Sequence, residues 1–399
     1  MNKSDFPIFA NNPGLIYLDN AASTQKPQYV IDGVSEFVAS SYANIHRGFY
    51  NISEKSEELY YASKAKFAQF LNAKSSEIIY SYNANYCINL LAQSLCASKR
   101  LGKGDSVLLG IWDHHANIVP RQSLALEYGF SIKFIASTDD YNIDRADFDR
   151  QYTTEVKVVS CAHVSNVTGT IYEVDQIKSR LRPDTFFMID GSQAIPNFSV
   201  DVMALGCDAY VSTAHKLMAY TGLGMLYLQK QHIKTLRPLI AWGGSISDVD
   251  TEGYTISNTA SSFEAGTPNI IAAVSLLKAL EYIEQQGGME AIWAHEQRLV
   301  HYALAKFKAL EDQGKLHLVG PYLAEKRVWA FSFVLPEEKN TSKIGEVFAA
   351  QNICVRCGGH CAYPLHKSLH LAGTCRMSVY GYNEESDIDA FFKVLETIV

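Results

Sequence analysis

Short apolar runs alternate with longer segments of helical periodicity over the middle of the chain. The apolar runs predict strands at residues 106–109, 132–135, 156–160, 185–189 and 225–228, and the segment 117–128 predicts a helix. Alternation of strands and helices is typical of a mostly parallel sheet that is covered by helices. Ligands of such proteins bind at the carboxyl ends of the strands, so the residues that follow the strands are candidates for function.

The pattern changes after Thr267-Pro268. Amphipathic helices are predicted over residues 274–286, 290–310 and 384–398, and strands over 328–334, 353–356 and 375–380. We therefore expect an α/β protein in two parts. A large domain with a mostly parallel sheet would occupy residues 15–265, and a smaller α+β domain would combine residues 1–14 with residues 266–399.

The composition is that of an ordinary globular protein, with 47% hydrophobic and 19% charged residues in a chain of 399. A net charge of −7 and the lack of any Lys/Arg run argue against nucleic-acid binding. No apolar stretch reaches membrane-spanning length, and the first residues lack the apolar core of a signal peptide. We therefore expect a cytoplasmic protein that does not bind membranes, with its eight cysteines as free thiols.

Four of the cysteines lie close together in the sequence, at positions 354, 357, 361 and 375. Their spacing invites comparison with a metal site, but the two Cys pairs of a structural zinc site are missing. Cys354 lies in the apolar run 353–355, where a small buried thiol is ordinary. We therefore expect no metal.

An acid and a lysine follow two of the buried strands. Asp190 ends the apolar run 186–189, and Lys216 follows a strand that includes Tyr210 and Val211. Pyridoxal phosphate (PLP) needs such a pair, because its aldehyde forms a Schiff base with a lysine amine and its ring nitrogen needs a carboxylate to stay protonated. Taken alone, Asp190 could simply end a strand and Lys216 could be a surface lysine. The ordered pair therefore predicts a PLP site.

Two further segments after strands carry polar side chains. His114 or His115 could stack on a cofactor ring and carry a proton, although both could also be loop residues beside a helix that Asn117 caps. The position favours a function for His114, but the pattern does not separate the two histidines. Asn166 could bind a substrate carboxylate or a cofactor oxygen, or it could be a turn residue.

The segment Arg356-Cys-Gly-Gly-His-Cys361-Ala-Tyr-Pro364 is predicted to be a loop after a strand. A mobile loop suits a thiol nucleophile that reaches a bound substrate, and Arg356 or His360 would favour the thiolate form of Cys361. The alternative is a spare loop thiol. Arg376 lies in a predicted strand, where its guanidinium is costly unless it pairs with a carboxylate.

With these residues in place, the chain resembles the cysteine desulfurases of aminotransferase class V, and most closely the Suf/Csd-type group. The resemblance covers nearly the whole length. The matching motifs are Tyr17-Leu-Asp-Asn-Ala-Ala-Ser23, Asn44-Ile-His-Arg-Gly48, His114-His-Ala-Asn-Ile-Val-Pro120, His163-Val-Ser-Asn-Val167, Asp190-Gly-Ser-Gln-Ala194, His215-Lys216, Phe263-Glu-Ala-Gly-Thr-Pro268, the Arg356 to Ala362 segment and Cys375-Arg376. The resemblance implies a PLP-dependent transferase of fold type I.

The resemblance also implies roles for individual residues. For the cofactor they are Lys216 for the Schiff base, Asp190 for the pyridine nitrogen, Gln193 for the ring hydroxyl, His114 for stacking, and Thr213 and His215 for the phosphate. The substrate would contact Asn166, Arg376 and His46, and Cys361 would take its sulfur as a persulfide. Thr267 would reach the phosphate of a partner subunit, which implies a homodimer.

The chain departs from the family pattern where phosphate is usually held. Tyr82-Asn-Ala-Asn-Tyr86 replaces the usual Arg-Gly-Thr-Thr-Glu, so the backbone amides of Ala84 and Asn85 would have to bind the phosphate, with the Asn85 side chain in place of a hydroxyl. Ala214 replaces the usual glycine, and Met218-Ala-Tyr-Thr-Gly222 replaces a Gly-Pro-type turn. Gly359 replaces a bulkier polar residue.

The resemblance implies an L-cysteine desulfurase that releases L-alanine and passes persulfide sulfur to an acceptor protein. Two alternatives stay open at this stage. One is another PLP reaction on the same frame, such as selenocysteine lyase, C-S lyase or aminotransferase chemistry, and L-selenocysteine would then be a substrate. The other is a catalytically weak partner in sulfur trafficking.

Overall fold

The computed structural model describes residues 1–336 and 340–399. Its helices are α1 (Pro7–Asn11), α2 (Gln28–Ser40), α3 (Asn51–Phe70), α4 (Ala84–Ala97), α5 (His115–Tyr128), α6 (Arg145–Gln151), α7 (Val174–Lys178), α8 (Val202–Leu205), α9 (Lys230–Thr235), α10 (Ile270–Gln285), α11 (Gly288–Glu311), α12 (Thr341–Ala350), α13 (Tyr363–Ser368) and α14 (Glu385–Leu395). Its strands are β1 (Ile16–Tyr17), β2 (Ile78–Ser81), β3 (Ser106–Gly110), β4 (Ser131–Ile135), β5 (Val156–Ala162), β6 (Phe186–Asp190), β7 (Ala209–Thr213), β8 (Gly224–Leu228), β9 (Ile246–Val249), β10 (Tyr254–Ile256), β11 (His317–Val319), β12 (Ala330–Val334), β13 (Ile353–Cys354), β14 (Arg356–Gly358) and β15 (Thr374–Ser378).

A seven-stranded sheet forms the centre of the protein, with strand order β2-β8-β7-β6-β5-β3-β4. Strands β3 to β7 pair in parallel, and β8 runs antiparallel to both of its neighbours. The predicted α/β fold with a mostly parallel sheet is therefore confirmed. The apolar runs that predicted β3 and β5 to β8 lie in strands buried on both faces, which explains why their sequences are continuously apolar, whereas the edge strand β4 is only partly buried.

Each face of this sheet packs on its own hydrophobic core. Val107, Leu109 and Val158 belong to the core beneath α4 and α5, whereas Leu108 and Val159 point into the core on the other face, which includes α10. Successive residues of a strand point to opposite faces, so the sheet separates the two cores. Helix α10 lies against α2 and α3, which completes the helical layer on the second face.

A second sheet has four antiparallel strands in the order β11-β12-β15-β14. Helices α11, α12 and α14 pack on it. This region matches the predicted α+β character of the C-terminal part. The short strand β1 pairs in parallel with β13, which ties the segment after residue 15 to this region. The division into residues 15–265 and residues 1–14 with 266–399 stays a prediction.

Two local predictions were wrong. The predicted strand over 353–356 is two strands, β13 and β14, separated by Val355. The predicted loop from Arg356 to Pro364 is shorter than expected, because Arg356–Gly358 pairs with β15 and Pro364 lies in the first turn of α13. Proline is well suited to the first turn of a helix, so its presence does not mark a loop here.

Within the described parts of the chain, 1–336 and 340–399, no helix is long and apolar enough to cross a membrane. Over the same residues, no group of three or more His, Cys, Asp or Glu side chains is placed to hold a metal ion.

Candidate active site

A cavity of about 380 Å³ lies at the carboxyl ends of β5, β6 and β7. Strand β6 ends at Asp190, and β7 is followed by a single 3₁₀ turn, Ala214–Lys216. Side chains from the small sheet and its nearby loop, including Arg376 and Cys361, close the cavity from the other side. The cavity is therefore where an open α/β sheet is expected to bind a ligand.

Asp190 and Lys216 both line this cavity. The Asp190 Oδ1 atom accepts a hydrogen bond of 3.0 Å from the backbone N–H of Ser192, which fixes the carboxylate at the end of β6. Burial lowers the pKa of the Lys216 amine to about 8, and the Asp190 charge opposes this shift. A lysine that loses its proton near neutral pH can act as a nucleophile.

The turn that carries Lys216 is held from outside by the segment that follows β1. The carbonyl oxygen of His215 accepts hydrogen bonds from Ser23 Oγ and Thr24 Oγ1, both at 3.2 Å, and from Lys26 Nζ at 3.2 Å. Burial also lowers the pKa of Lys26 to about 8. These contacts fix the backbone of the turn, so the Lys216 side chain starts from a defined position.

The structure separates the two neighbouring histidines. His114 lines the cavity and is also the N-cap of α5, because its Nδ1 accepts a 3.0 Å hydrogen bond from the N–H of Ala116. The expected cap, Asn117, lies inside the helix, where its amide donates to Asp113 Oδ2 at 2.7 Å. That alternative for Asn117 was therefore wrong. His115 instead accepts a hydrogen bond from the N–H of Tyr363 at 2.9 Å.

Burial and the nearby Lys216 charge lower the pKa of His114 to about 4. The imidazole is therefore neutral at physiological pH. A neutral ring that is fixed through Nδ1 can stack on an aromatic ligand without placing a positive charge against it.

The N-terminus of α4 forms another part of the cavity wall. Ala84 and Asn85 line it, and the preceding Asn83 caps the helix by accepting a 2.9 Å hydrogen bond from the N–H of Tyr86. The unpaired N–H groups of a first helical turn and the helix dipole favour an anion at this place. Thr213 and His215 line the same cavity. The start of α4 therefore offers an anion site although its side chains differ from the usual phosphate motif.

Two arginines that line the cavity form an ion-pair network with one aspartate. Asp19 accepts hydrogen bonds from Arg356 Nη2 at 2.9 Å and from Arg376 Nη2 at 3.2 Å. Arg376 also donates from Nη1 to the carbonyl oxygen of Asn166 at 2.7 Å. Sequence reasoning did not identify Asp19, although it lies in the Tyr17 to Ser23 motif.

The loop around Cys361 is anchored at both sides of the thiol. The Asn166 side chain donates to the carbonyl oxygen of His360 at 2.7 Å, and the N–H of His115 donates to the carbonyl oxygen of Cys361 at 2.7 Å. His360 and Cys361 have φ angles of 47° and 55°, which are strained values for residues other than glycine. Cys361 is nevertheless exposed and lines the cavity. An anchored, strained loop thus presents a free thiol to the site.

The other clustered cysteines differ from Cys361. Burial raises the pKa of Cys354 and, to a greater extent, that of Cys375, which disfavours the thiolate form of both. The sequence suggested that Cys357 shares the loop with Cys361. The structure instead places Cys357 in β14, opposite Cys375. The structure therefore leaves Cys361 as the clustered thiol that lines the cavity.

Two predicted site residues lie outside this cavity. His46 is placed near Glu57 and Tyr61, at 3.4 Å from each. Thr267 lines a separate small cavity beside Tyr82 and Glu264. The remaining candidates, including Gln193 with its 2.8 Å hydrogen bond to the carbonyl oxygen of Ala21, line the cavity. The roles of all these residues stay predictions.

Comparison with known proteins identifies the family. The sequence model described as Aminotransferase class-V matches residues 16–391. A probable cysteine desulfurase of Streptomyces coelicolor is 36% identical over 405 residues, which cover 99% of this chain and 96% of the relative. A cysteine desulfurase of Serratia proteamaculans is 36% identical, with 99% and 97% covered. The chain belongs to the cysteine desulfurase family of class-V aminotransferases.

Solved structures agree with this family. The apo cysteine desulfurase of Thermococcus onnurineus superimposes with a TM-score of 0.93 at 31% identity, covering 100% of this chain and 97% of the other. A cysteine desulfurase of Escherichia coli gives a TM-score of 0.89 at 26% identity, with 99% and 96% covered. The expected PLP-dependent fold is therefore confirmed.

The residues of the cavity fit PLP, the cofactor of this family. A carboxylate, an amine of lowered pKa, a neutral imidazole and a helix N-terminus all line the cavity. Among the described residues, His360 Nδ1 and Arg376 Nε are buried without a hydrogen-bond partner, and both residues line the cavity. Unpaired polar atoms in a cavity wall indicate a site made for a polar ligand.

Proposed function

We propose that the protein is an L-cysteine desulfurase that uses PLP and forms a persulfide on Cys361. One observation carries the proposal: an exposed cysteine and a partly buried lysine of lowered pKa line the same cavity. A lysine alone would serve many PLP reactions. A free thiol on the cavity wall adds the nucleophile that sulfur transfer requires.

The cofactor would be held at both ends by residues described above. Lys216 would bind it covalently, Asp190 would pair with its ring nitrogen, and Gln193 would contact its ring hydroxyl. His114 would lie against the ring. The first turn of α4, with Thr213 and His215, would hold its phosphate. When bound, PLP supplies an electron sink that stabilises negative charge on the substrate Cα.

The substrate would be oriented through its carboxylate. Arg376 is fixed by Asp19 and by the carbonyl oxygen of Asn166, so its guanidinium is already positioned for a charged partner. Lys216, whose pKa is near 8, would take the proton from the substrate Cα. By holding the substrate carboxylate, Arg376 would thus direct the Cα–H bond towards Lys216.

Cys361 would then perform the sulfur transfer. Its thiolate attacks the sulfur of the bound cysteine, a new S–S bond forms, and the Cβ–S bond breaks. The electron pair of the broken bond stays with the substrate carbon, which takes up protons and leaves as alanine. The outer sulfur of the Cys361 persulfide passes to a thiol of an acceptor protein.

The proposal includes a homodimer with shared active sites. Thr267 lies outside the cavity of its own chain, which supports a role in that of a partner subunit. Large apolar side chains are exposed around the α3 and α4 starts, among them Phe49 at 99%, Tyr50 at 52% and Tyr82 at 56%. Exposed apolar side chains that cluster are typical of protein–protein contacts. Sedimentation velocity of the purified protein tests the dimer.

We place the enzyme in the cytoplasm. All eight cysteines are free, and thiols stay free in a reducing compartment. The thiol-rich environment would also supply the reductant that releases sulfide from the persulfide when no acceptor protein is present.

Product analysis tests the reaction. Purified enzyme with PLP, a thiol reductant and L-cysteine should form alanine and sulfide in equal amounts, and L-selenocysteine is assayed in parallel. Pyruvate and ammonia instead of alanine would show β-elimination and overturn the proposal.

Variants test the nucleophile. Cys361→Ala should abolish alanine formation while the protein still binds PLP, because the thiol is not needed to hold the cofactor. Cys354→Ala is the matched control, since it removes a thiol seven positions earlier, and it should keep most of the activity. A Cys361→Ala enzyme that still desulfurates cysteine at the normal rate would refute the assignment.

A further inference from the structure

A pair of cysteines stands behind the active site on neighbouring strands. Cys357 of β14 lies directly opposite Cys375 of β15 in the antiparallel register. The adjacent pair in the same ladder is Arg356 with Arg376, and both arginines bind Asp19 at the cavity. Because successive residues of a strand point to opposite faces, the two thiols lie on the face away from the cavity.

That face of the sheet is covered by α12, and the contact is close. A Cβ atom at Gly345 of α12 would lie 3.1 Å from the Cys357 sulfur, so glycine leaves the room that this thiol occupies. Cys375 is fully buried, whereas Cys357 is partly exposed. One thiol of the pair is thus reachable from solvent and the other is held behind it.

The register suits a disulfide. Directly opposed residues of antiparallel strands have Cα atoms about 4.5 or 5.5 Å apart, depending on the type of pair. Disulfides form across Cα separations of about 4.4–6.8 Å. The two side chains are close enough for each thiol to shift the pKa of the other. An S–S bond therefore needs rotation of side chains and no separation of the strands.

The two thiols also differ in acidity: the pKa of Cys357 is lowered and that of Cys375 is raised. The hydrogen bond from Cys375 lowers the pKa of Cys357, and a backbone hydrogen bond from Gly345 adds to this effect. Burial raises the pKa of Cys375 well above its usual value. The thiolate is the reactive form, so Cys357 would react first with an oxidant and Cys375 would follow.

We propose that Cys357 and Cys375 are a redox-active pair that hydroperoxides convert to an intramolecular disulfide. The Cys357 thiolate attacks the peroxide O–O bond, takes one oxygen as a sulfenic acid, and releases an alcohol or water. The Cys375 sulfur then attacks the sulfenic sulfur, an S–S bond forms, and water leaves. In total, two thiols lose two electrons and two protons, and one peroxide is reduced.

Peptide mapping of the PLP-loaded enzyme tests the site. Trypsin places Cys357 and Cys361 in one peptide, residues 357–367, and Cys375 in another, residues 368–376. The Cys361→Ala variant is therefore used, because its 357–367 peptide contains Cys357 as the single thiol and the exposed Cys361 thiol is absent. After treatment with hydrogen peroxide, alkylation of free thiols and digestion without reductant, the two peptides should appear as one cross-linked species. Dithiothreitol should separate them.

The same digest contains an internal control. Cys354 falls in a third peptide, residues 344–356, and should carry the alkyl label before and after peroxide treatment. Alkylation of Cys357 and Cys375 to the same extent as Cys354 after treatment would overturn the proposal. So would a cross-link of Cys375 to any other thiol, or a sulfinic acid on Cys357 without a cross-link.

Thermal unfolding gives a second measurement. The disulfide would close a loop with 17 residues between positions 357 and 375, and oxidation should raise the Tm by roughly 5 °C. Cys357→Ser, which changes the partly exposed partner, should not show this rise, and dithiothreitol should reverse it in the parent protein. A rise of equal size in Cys357→Ser would contradict the assignment.

Discussion

At the scale of single residues, the chemistry depends on which ionisable side chains are buried, because burial shifts their pKa values. Lys216 is the clearest case, because burial brings its pKa to about 8 while Asp190 opposes the shift. Lys26 undergoes the same shift but donates to backbone carbonyls of Thr24 and His215. Two lysines of similar acidity therefore have different tasks: one lines the cavity and the other holds the turn that carries it.

This difference predicts the pH dependence of cofactor loading. Only the neutral amine of Lys216 reacts with an aldehyde, so the rate of covalent PLP capture by apo-protein should rise with pH and level off above about 8. An ordinary lysine, with a pKa near 10.4, would give a rise extending beyond pH 9. Absorbance of bound PLP follows the reaction, and borohydride reduction with peptide mapping locates it. A reduced adduct on Lys26 would contradict the assignment.

Asp19 predicts a second effect at this scale. Asp19→Asn keeps the shape of the side chain and removes the charge that separates Arg356 from Arg376. The two guanidinium groups would then repel one another, and Arg376 would meet the substrate carboxylate in a less fixed position. Loss of a charge-assisted hydrogen bond is worth about 1.5–3 kcal/mol, so KM for cysteine should rise roughly tenfold or more.

The kinetic constants distinguish a positioning role of Asp19 from a general loss of structure in the Asp19→Asn variant. A positioning role predicts a higher KM with kcat changed less, and unaltered retention of PLP. Asp32→Asn is the control, because this exposed carboxylate of α2 contacts Gln28 and not the site. A normal KM in Asp19→Asn would show that Arg376 is positioned without the aspartate.

At the scale of elements, the start of α4 is one place where the sequence departs from the motif expected for its family. The cap at Asn83 and the free N–H groups of Ala84 and Asn85 keep an anion site, but Ala84 has no hydroxyl. Ala84→Thr should therefore tighten PLP binding by several-fold, since one neutral hydrogen bond contributes about 1 kcal/mol. Fluorescence titration of apo-protein with PLP measures it.

A matched variant lies at the other end of the same helix. Ala97→Thr introduces the same β-branched side chain at an exposed position and should leave PLP affinity unchanged. Equal or weaker binding in Ala84→Thr would mean that another group, such as the Asn85 side chain, already fills the place of the hydroxyl.

The elements also show what the sequence could predict. Strands β5 to β7 were predictable because both of their faces are buried, which leaves a continuous apolar run ending in Asp190 or followed by Lys216. The break at Val355 was not, because β13 and β14 pair with different partners, β1 and β15. Asp19 was missed for a related reason: its partners lie 337 and 357 positions away, and only the folded chain brings them together.

At the scale of the whole molecule, the segment from Tyr17 to Lys26 joins the two halves of the site. Its beginning pairs with β13 and binds Arg356 and Arg376, and its end holds the turn of Lys216. The lysine, the carboxylate clamp and the Cys361 loop are thereby related through one short stretch of chain. Relative movement of the two sheets would disturb all three together.

The buried histidines predict how the whole protein responds to acid. His163 is only 7% exposed, lies 3.0 Å from the Tyr210 hydroxyl, and does not line the cavity. Burial lowers its pKa to about 4 in the folded protein. The unfolded chain, with a histidine pKa near 6.5, therefore binds a proton that the folded state excludes between about pH 6.5 and 4. The stabilisation is complete above pH 6.5 and is lost as the pH falls through this window.

The size of this effect follows from the shift. A difference of about 2.5 pKa units corresponds to about 3 kcal/mol in the free energy of unfolding. Denaturant unfolding of the parent protein and of His163→Gln, which cannot titrate at this site, should give a stability difference that falls by about this amount between pH 7 and pH 4. His301→Gln, which changes an exposed histidine of α11, serves as the control. If the difference between the parent protein and His163→Gln stays constant with pH, His163 is protonated in the folded protein and burial does not hold it neutral.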